Sequence, residues 1–165
     1  MTGQPFTHLD AEGQAIMVDV GAKPITHRLA EARGSIQVGP GVMAAIISQS
    51  LKKGDVLGVA RVAGITGAKK TSELIPLCHP VFIVQCSVDF ELDQSQNRVQ
   101  VICRVASQGQ TGVEMEALTG VSAALLTVYD MCKALDKSMV IGPIYLVEKS
   151  GGQSGEFRRE TLVGP

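Results

Sequence analysis

The chain has 165 residues, 45% of them apolar, with 15 Lys and Arg set against 16 Asp and Glu. That length suffices for one domain with a real core, and the composition excludes a disordered chain. A net charge of −1 leaves no field for a nucleic-acid backbone, which needs clustered Lys and Arg.

No run approaches the roughly 20 apolar residues of a membrane span. The first residues lack the basic-then-apolar pattern of a secretory signal, so a cytoplasmic location is expected. The chain is read as a single domain over residues 1–165, without internal repeats. Residues 1–15 and 150–165 are expected to be mobile.

In chain order, Arg28–Val38 reads as a strand. Gly39–Leu51 reads as a helix with Pro40 near its start, where the missing N–H is harmless. Residues 54–75 contain Gly58, Gly64 and Gly67 among apolar positions and read as helical, with Pro76 as the stop. Phe82, Val84, Cys86, Val88, Phe90 and Leu92 then alternate with polar residues, the period of a half-buried strand. A polar turn at Asp93–Asn97 leads to Val99, Val101, Cys103 and Val105, again alternating, so an antiparallel hairpin is expected.

Residues 113–135 read as a long helix, with Leu118, Val121, Leu125, Val128, Cys132 and Leu135 as its apolar stripe. Gly120, Ala123, Ala124 and Thr127 form an adjoining face of small residues. Met139–Val147 is β-branched and interrupted by Gly142-Pro143, which belongs at an edge or a bulge. Strand, helix, helix, two strands, helix, strand is an α+β order. It predicts a ferredoxin-like sandwich, an antiparallel sheet with helices packed on one face. Its outer faces call for partners, and a homo-oligomer is the economical expectation.

The four cysteines, Cys78, Cys86, Cys103 and Cys132, show no CxxC pair and no zinc or iron–sulfur spacing. They read as free, mostly buried thiols. No cofactor motif and no metal-ligand cluster is visible. Gly39–Ala44 matches GxGxxA but lacks the βαβ surroundings that would make it a dinucleotide site. Gly64–Thr71 resembles a phosphate-binding loop, yet two lysines intervene before Thr71 and no strand precedes it. A glycine-containing helix with exposed lysines is the better reading.

Four places carry possible chemistry. Leu77, Cys78 and His79 sit between Pro76 and Pro80, a rigid segment at an element end. Glu114, Met115 and Glu116 open the long helix. Acids there suit the macrodipole, and a carboxylate such as Glu116 also suits the adjacent N–H groups of an aminopyrimidinone ring. Asp130 and Lys133, three apart, share a helical face, either as a surface ion pair or as a tuned proton-transfer pair. Arg28, Lys53, Lys69 and Lys149 are scattered cations that bind an anion only if the fold gathers them.

The blocks GITGAKKTSELIPLCHP, TGVEMEALTG, VYDMCKALDK and KSGGQSGEF resemble those of the MoaC family, the cyclic pyranopterin monophosphate synthases. MVDV and KKGDVLGVARVAGI resemble its N-terminal blocks, so the resemblance covers about residues 8–157. It implies a ferredoxin-like protomer in a homohexamer, a trimer of dimers, with active sites at dimer interfaces. The implied substrate is a small molecule, a cyclised guanosine triphosphate. The implied products are cyclic pyranopterin monophosphate and pyrophosphate, an early step in making the molybdenum cofactor.

By matching motifs, the resemblance assigns catalysis to Asp130, Lys133 and Lys53. It assigns substrate binding to Leu77, Cys78, His79, Met115 and Glu116, with Glu114, Lys69, Arg28 and Lys149 completing the pocket. It implies no cofactor. The competing reading from another class is a non-catalytic, ligand-sensing ferredoxin-like module, which would need the pocket but not Lys133.

Overall fold

The computed structural model describes residues 12–160. The expected mobility of residues 1–11 and 161–165 lies outside that range. The elements follow the order β1 (Thr26–Gln37), α1 (Pro40–Ile47), α2 (Val56–Lys69), α3 (Thr71–Leu74), β2 (Ile83–Asp93), β3 (Arg98–Gly109), α4 (Glu114–Cys132), β4 (Val140–Ser150) and β5 (Phe157–Arg158). One sheet holds all five strands in the order β2-β3-β1-β4-β5, every pair antiparallel. The first four strands with their helices make the split βαββαβ arrangement, the ferredoxin-like sandwich that the order of elements predicts. The short β5 adds a pair to the end of β4, where Lys149 faces Phe157.

The core lies between one sheet face and the helices. Ala30, Ala32 and Ile36 of β1, Val99, Val101, Cys103 and Val105 of β3, and Val121, Leu125 and Val128 of α4 are all essentially inaccessible. With so few aromatics, density comes from small side chains and close backbones. Gly34 and Gly120 make equally close strand–helix contacts, since an added Cβ would stand 2.7 Å from Val121 Cγ1 and from Cys103 Sγ respectively. The helices meet the same way. A Cβ on Gly67 would lie 2.7 Å from Ala123 Cβ, and one on Gly64 would lie 3.0 Å from the Gly120 carbonyl. Thus the glycines of the GITGAKKT stretch serve helix packing within α2, and Lys69 and Lys70 are exposed.

Three expected apolar positions fall elsewhere. The β2–β3 register slips between Ile83 and Gln85, so Val84 is an extra residue. The slip reverses inside and outside, leaving Phe82 81% and Val84 51% exposed while Ile83 turns inward. Leu135 lies beyond the end of α4 at Cys132 and is exposed. The small-residue face, by contrast, is occupied: Gly120 and Ala124 are buried against α2.

In β4, Ile36 faces Ile141 and Gly34 faces Ile144, so Gly142 and Pro143 bulge opposite Ser35. The Ser35 hydroxyl donates to the Gly142 carbonyl at 2.9 Å. Among the described residues, no helix is long and apolar enough to cross a membrane.

Candidate functional site

At the N-terminal end of α4 lies a cavity of about 170 Å³. Leu77, Cys78 and His79 form one wall, and Glu114, Met115 and Glu116 the other, with Thr111 and Gly112 between them. Two of the places singled out along the sequence therefore meet in space. Glu116 is only 4% exposed. Burial, with the nearby Glu114 charge adding to it, pushes its carboxyl up to about 7 despite a hydrogen bond from its own backbone N–H. Burial likewise raises the Cys78 thiol, and the Glu116 carboxylate beside it pushes the same way. Glu114 folds back over Gly112, where a Cβ would stand 1.9 Å from its Oε2, so a larger residue there would displace the Glu114 carboxylate. His79 Nε2 donates to the Val18 carbonyl at 2.7 Å, drawing residues 12–25 to this end of the molecule.

Three cations stand at the same end. Arg28 points inward from the start of β1 and is 7% exposed. Its Nε and Nη2 donate to the Gly109 and Gln110 carbonyls, each at 3.2 Å, just ahead of the cavity wall. Gly152 lies against the guanidinium, where an added Cβ would stand 1.5 Å from Nη1. Lys149 donates to the Ser154 hydroxyl. Lys69 closes α2, whose Gly67 packs on Thr119 in the second turn of α4. Beside Arg28, the Ser107 and Thr26 hydroxyls are buried without a partner.

The remaining candidates form a separate cluster at the C-terminal end of α4. Asp130 bridges two lysines: Lys133 Nζ donates to Oδ1 at 2.6 Å, and Lys53 Nζ to Oδ2 at 3.1 Å and to the Asp130 carbonyl at 2.9 Å. All three are solvated, with side-chain exposures of 58% for Asp130, 53% for Lys133 and 47% for Lys53. The hydrogen bond from Lys133 and then that from Lys53 hold the Asp130 carboxyl below its usual range. Asp130 in turn raises Lys133 above that of an ordinary lysine. Of the two opposing effects on Lys133, burial is slight here and the carboxylate wins.

One chain does not bring the two groups together. Glu116 and Asp130 are fourteen residues apart on one straight helix, roughly 21 Å at 1.5 Å per residue. The cavity end carries the buried Glu116, and Arg28, Lys69 and Lys149 stand at that end outside the cavity lining. The triad end is open. Among the described residues, no three His, Cys, Asp or Glu side chains gather as a metal-binding group.

Val18, Gln110, Thr111 and Gly112 were not among the sequence candidates. Val18 stands in the MVDV block and Gly112 in TGVEMEALTG, so membership in those blocks was the available signal. Gln110 lies outside every block.

The profile of the MoaC family matches residues 17–152. The chain is 59% identical to a protein of Clostridium botulinum named cyclic pyranopterin monophosphate synthase, over 94% of this chain and 98% of that one. It is 55% identical to a protein of the same name from Pelotomaculum thermopropionicum, over 94% of this chain and 91% of that one.

Proposed function

The chain belongs to the MoaC family, and from that premise we propose that it is a cyclic pyranopterin monophosphate synthase, a phosphorus–oxygen lyase of molybdenum-cofactor biosynthesis in the cytoplasm. It converts a cyclised guanosine triphosphate into cyclic pyranopterin monophosphate and pyrophosphate. The observation that carries this reading is the placement, at the two ends of α4, of a buried carboxyl in a cavity of ring dimensions and of an Asp130–Lys133 pair joined by Lys53 from the turn ahead of α2.

Glu116 accepts from the two adjacent N–H groups of an aminopyrimidinone, and the Met115 backbone lies against the same ring edge. Leu77, Cys78 and His79 enclose it, with Glu114 at the rim. Arg28, Lys69 and Lys149 face the triphosphate, whose charge of about −4 demands several fixed cations. Asp130 orients Lys53 and Lys133, which move protons as the rings open and reclose. Cyclisation joins a substrate hydroxyl to the α-phosphorus and breaks its bond to the β-phosphate oxygen. The hydroxyl proton passes to a base and the pair of electrons leaves with pyrophosphate, whose charge the cations stabilise.

The two ends of α4 serve one substrate only if a second copy supplies one of them. The working unit is therefore a dimer with sites between its protomers, and the assembly a homohexamer, a trimer of dimers. Covering the triad with a second copy also desolvates Lys133, which brings its pKa down towards a useful range.

The test is pyrophosphate release from the cyclised triphosphate by the wild type and by Lys133→Ala. Release with pyranopterin formation by the first, and none by the folded second, supports the reading. A folded protein that binds the compound without turning it over is the ligand-sensing module instead.

A further inference from the structure

Gln110 stands in the link between β3 and α4, and nothing above gives it a task. Its side-chain amide donates two hydrogen bonds, to the Gly21 and Lys23 carbonyls, both at 2.9 Å. Its own carbonyl accepts from Arg28 Nη2 at 3.2 Å. The next two residues, Thr111 and Gly112, are cavity wall. One residue thus ties the buried arginine, the wall and the segment that crosses in front of β1.

The part of that segment which Gln110 grips is a closed turn. The Asp19 carboxylate accepts from the Gly21 N–H at 2.8 Å, and the Lys23 N–H donates to the Val20 carbonyl at 2.9 Å. Apolar anchoring is weak around it, because Ile16, Met17 and Ile25 are 40%, 52% and 69% exposed. Val18 immediately precedes the turn, and its carbonyl is the partner of His79 Nε2. A carbonyl has no proton to give, so Nε2 must carry the hydrogen. In the neutral ring Nδ1 is then left as the acceptor.

We propose that Gln110 is a positioning residue for this cavity: by pinning the turn at residues 19–23 it holds the Val18 carbonyl on His79 and fixes that ring as the Nε2–H tautomer, with Nδ1 free to accept from a ligand. A planar amide with two donors fits the role, since it reaches two carbonyls at once. Methionine matches its length without a donor. Lysine keeps donors at similar reach. The consequence for turnover rests on the proposed function; the tautomer does not.

The experiment uses the full chain labelled with 15N-histidine, at a pH where the ring is neutral, with the His79 signals identified by their loss in His79→Gln. In the wild type Nε2 reads as protonated and Nδ1 as bare. In Gln110→Met both nitrogens move towards averaged positions, and KM for the cyclised triphosphate rises on the order of tenfold with a smaller change in kcat. Gln110→Lys restores both readouts. Unchanged His79 nitrogens in a folded Gln110→Met overturn the proposal, as does a Gln110→Lys protein that behaves like the methionine variant. If the wild type releases no pyrophosphate, the functional reading fails, and the nitrogen signals alone still decide whether the clamp exists.

Discussion

The two ends of α4 treat their carboxylates in opposite ways. At the N-terminal end Glu116 is buried, feels the Glu114 charge, and is pushed up to about 7. At the C-terminal end Asp130 is solvated, lies between Lys133 and Lys53, and is held below its usual range. The helix dipole does not explain the contrast, since it favours anions at the N-terminus, where the carboxyl is the harder one to ionise. Desolvation outweighs the dipole there, and paired cations outweigh it at the other end. One end therefore holds a buried carboxyl poised to respond to a ligand, and the other a solvated charged cluster that waits for a cover.

The largest expected break in this comparison is Lys133→Ala. Its side chain is 53% exposed, so the fold should survive with little change in thermal melting. Turnover measured as pyrophosphate release should fall a hundredfold or more, the worth of a positioned proton-transfer group.

The pH dependence at the cavity end comes next. A ring that donates to Glu116 binds the ionised carboxylate, so below pH of about 7 binding must release a proton. Affinity for the substrate should then fall about tenfold for each pH unit below 7. Calorimetry in buffers of differing ionisation enthalpy measures the proton released, and Glu116→Gln should abolish both effects.

Mixing the ends tests whether they serve one site. Glu116→Gln and Lys133→Ala proteins, each inactive alone, should recover about a quarter of wild-type activity when unfolded and refolded together, because half of the dimers are mixed and each has one intact site. No recovery from mixed, folded oligomers would mean that a single chain holds the whole site.

Stability should also depend on pH, with opposite signs at the two ends. Glu116 is raised from 4.5 to about 7, so the folded protein binds its proton more tightly than the unfolded chain. Its contribution is full below about 4.5 and is lost as pH rises towards 7, by at most about 3 kcal/mol. Asp130 is lowered, so its contribution is present above the ordinary carboxylate range and is lost as pH falls through it. Denaturant melts at several pH values should show Glu116→Gln gaining on the wild type as pH rises.

Much of this was readable along the chain. The alternation of Val99, Val101, Cys103 and Val105 and the spacing of Val121, Leu125 and Val128 are local patterns, and the strand and helix they predict are present with inward faces as expected. The meeting of His79 with Glu116 is implied by the motif blocks alone and rests, physically, on residues 77–79 lying against the first turn of α4. The reversal at Phe82 and Val84 was not readable, because a bulge arises from pairing with Ser107 and Ala106 and leaves no mark on the period of β2 itself.

The sequence by itself determined the order of elements, the faces that must be buried, and the residue types able to hold a ring and a polyphosphate. Those follow from side-chain periodicity and from chemistry carried by single residues. Only the tertiary structure decided that Glu116 is desolvated while Asp130 is not, that the candidate residues divide between the two ends of one helix, and that Gln110 grips a turn 87 to 89 residues away. Burial, separation along a rigid helix and long-range hydrogen bonds are properties of how elements pack, and no local pattern encodes them.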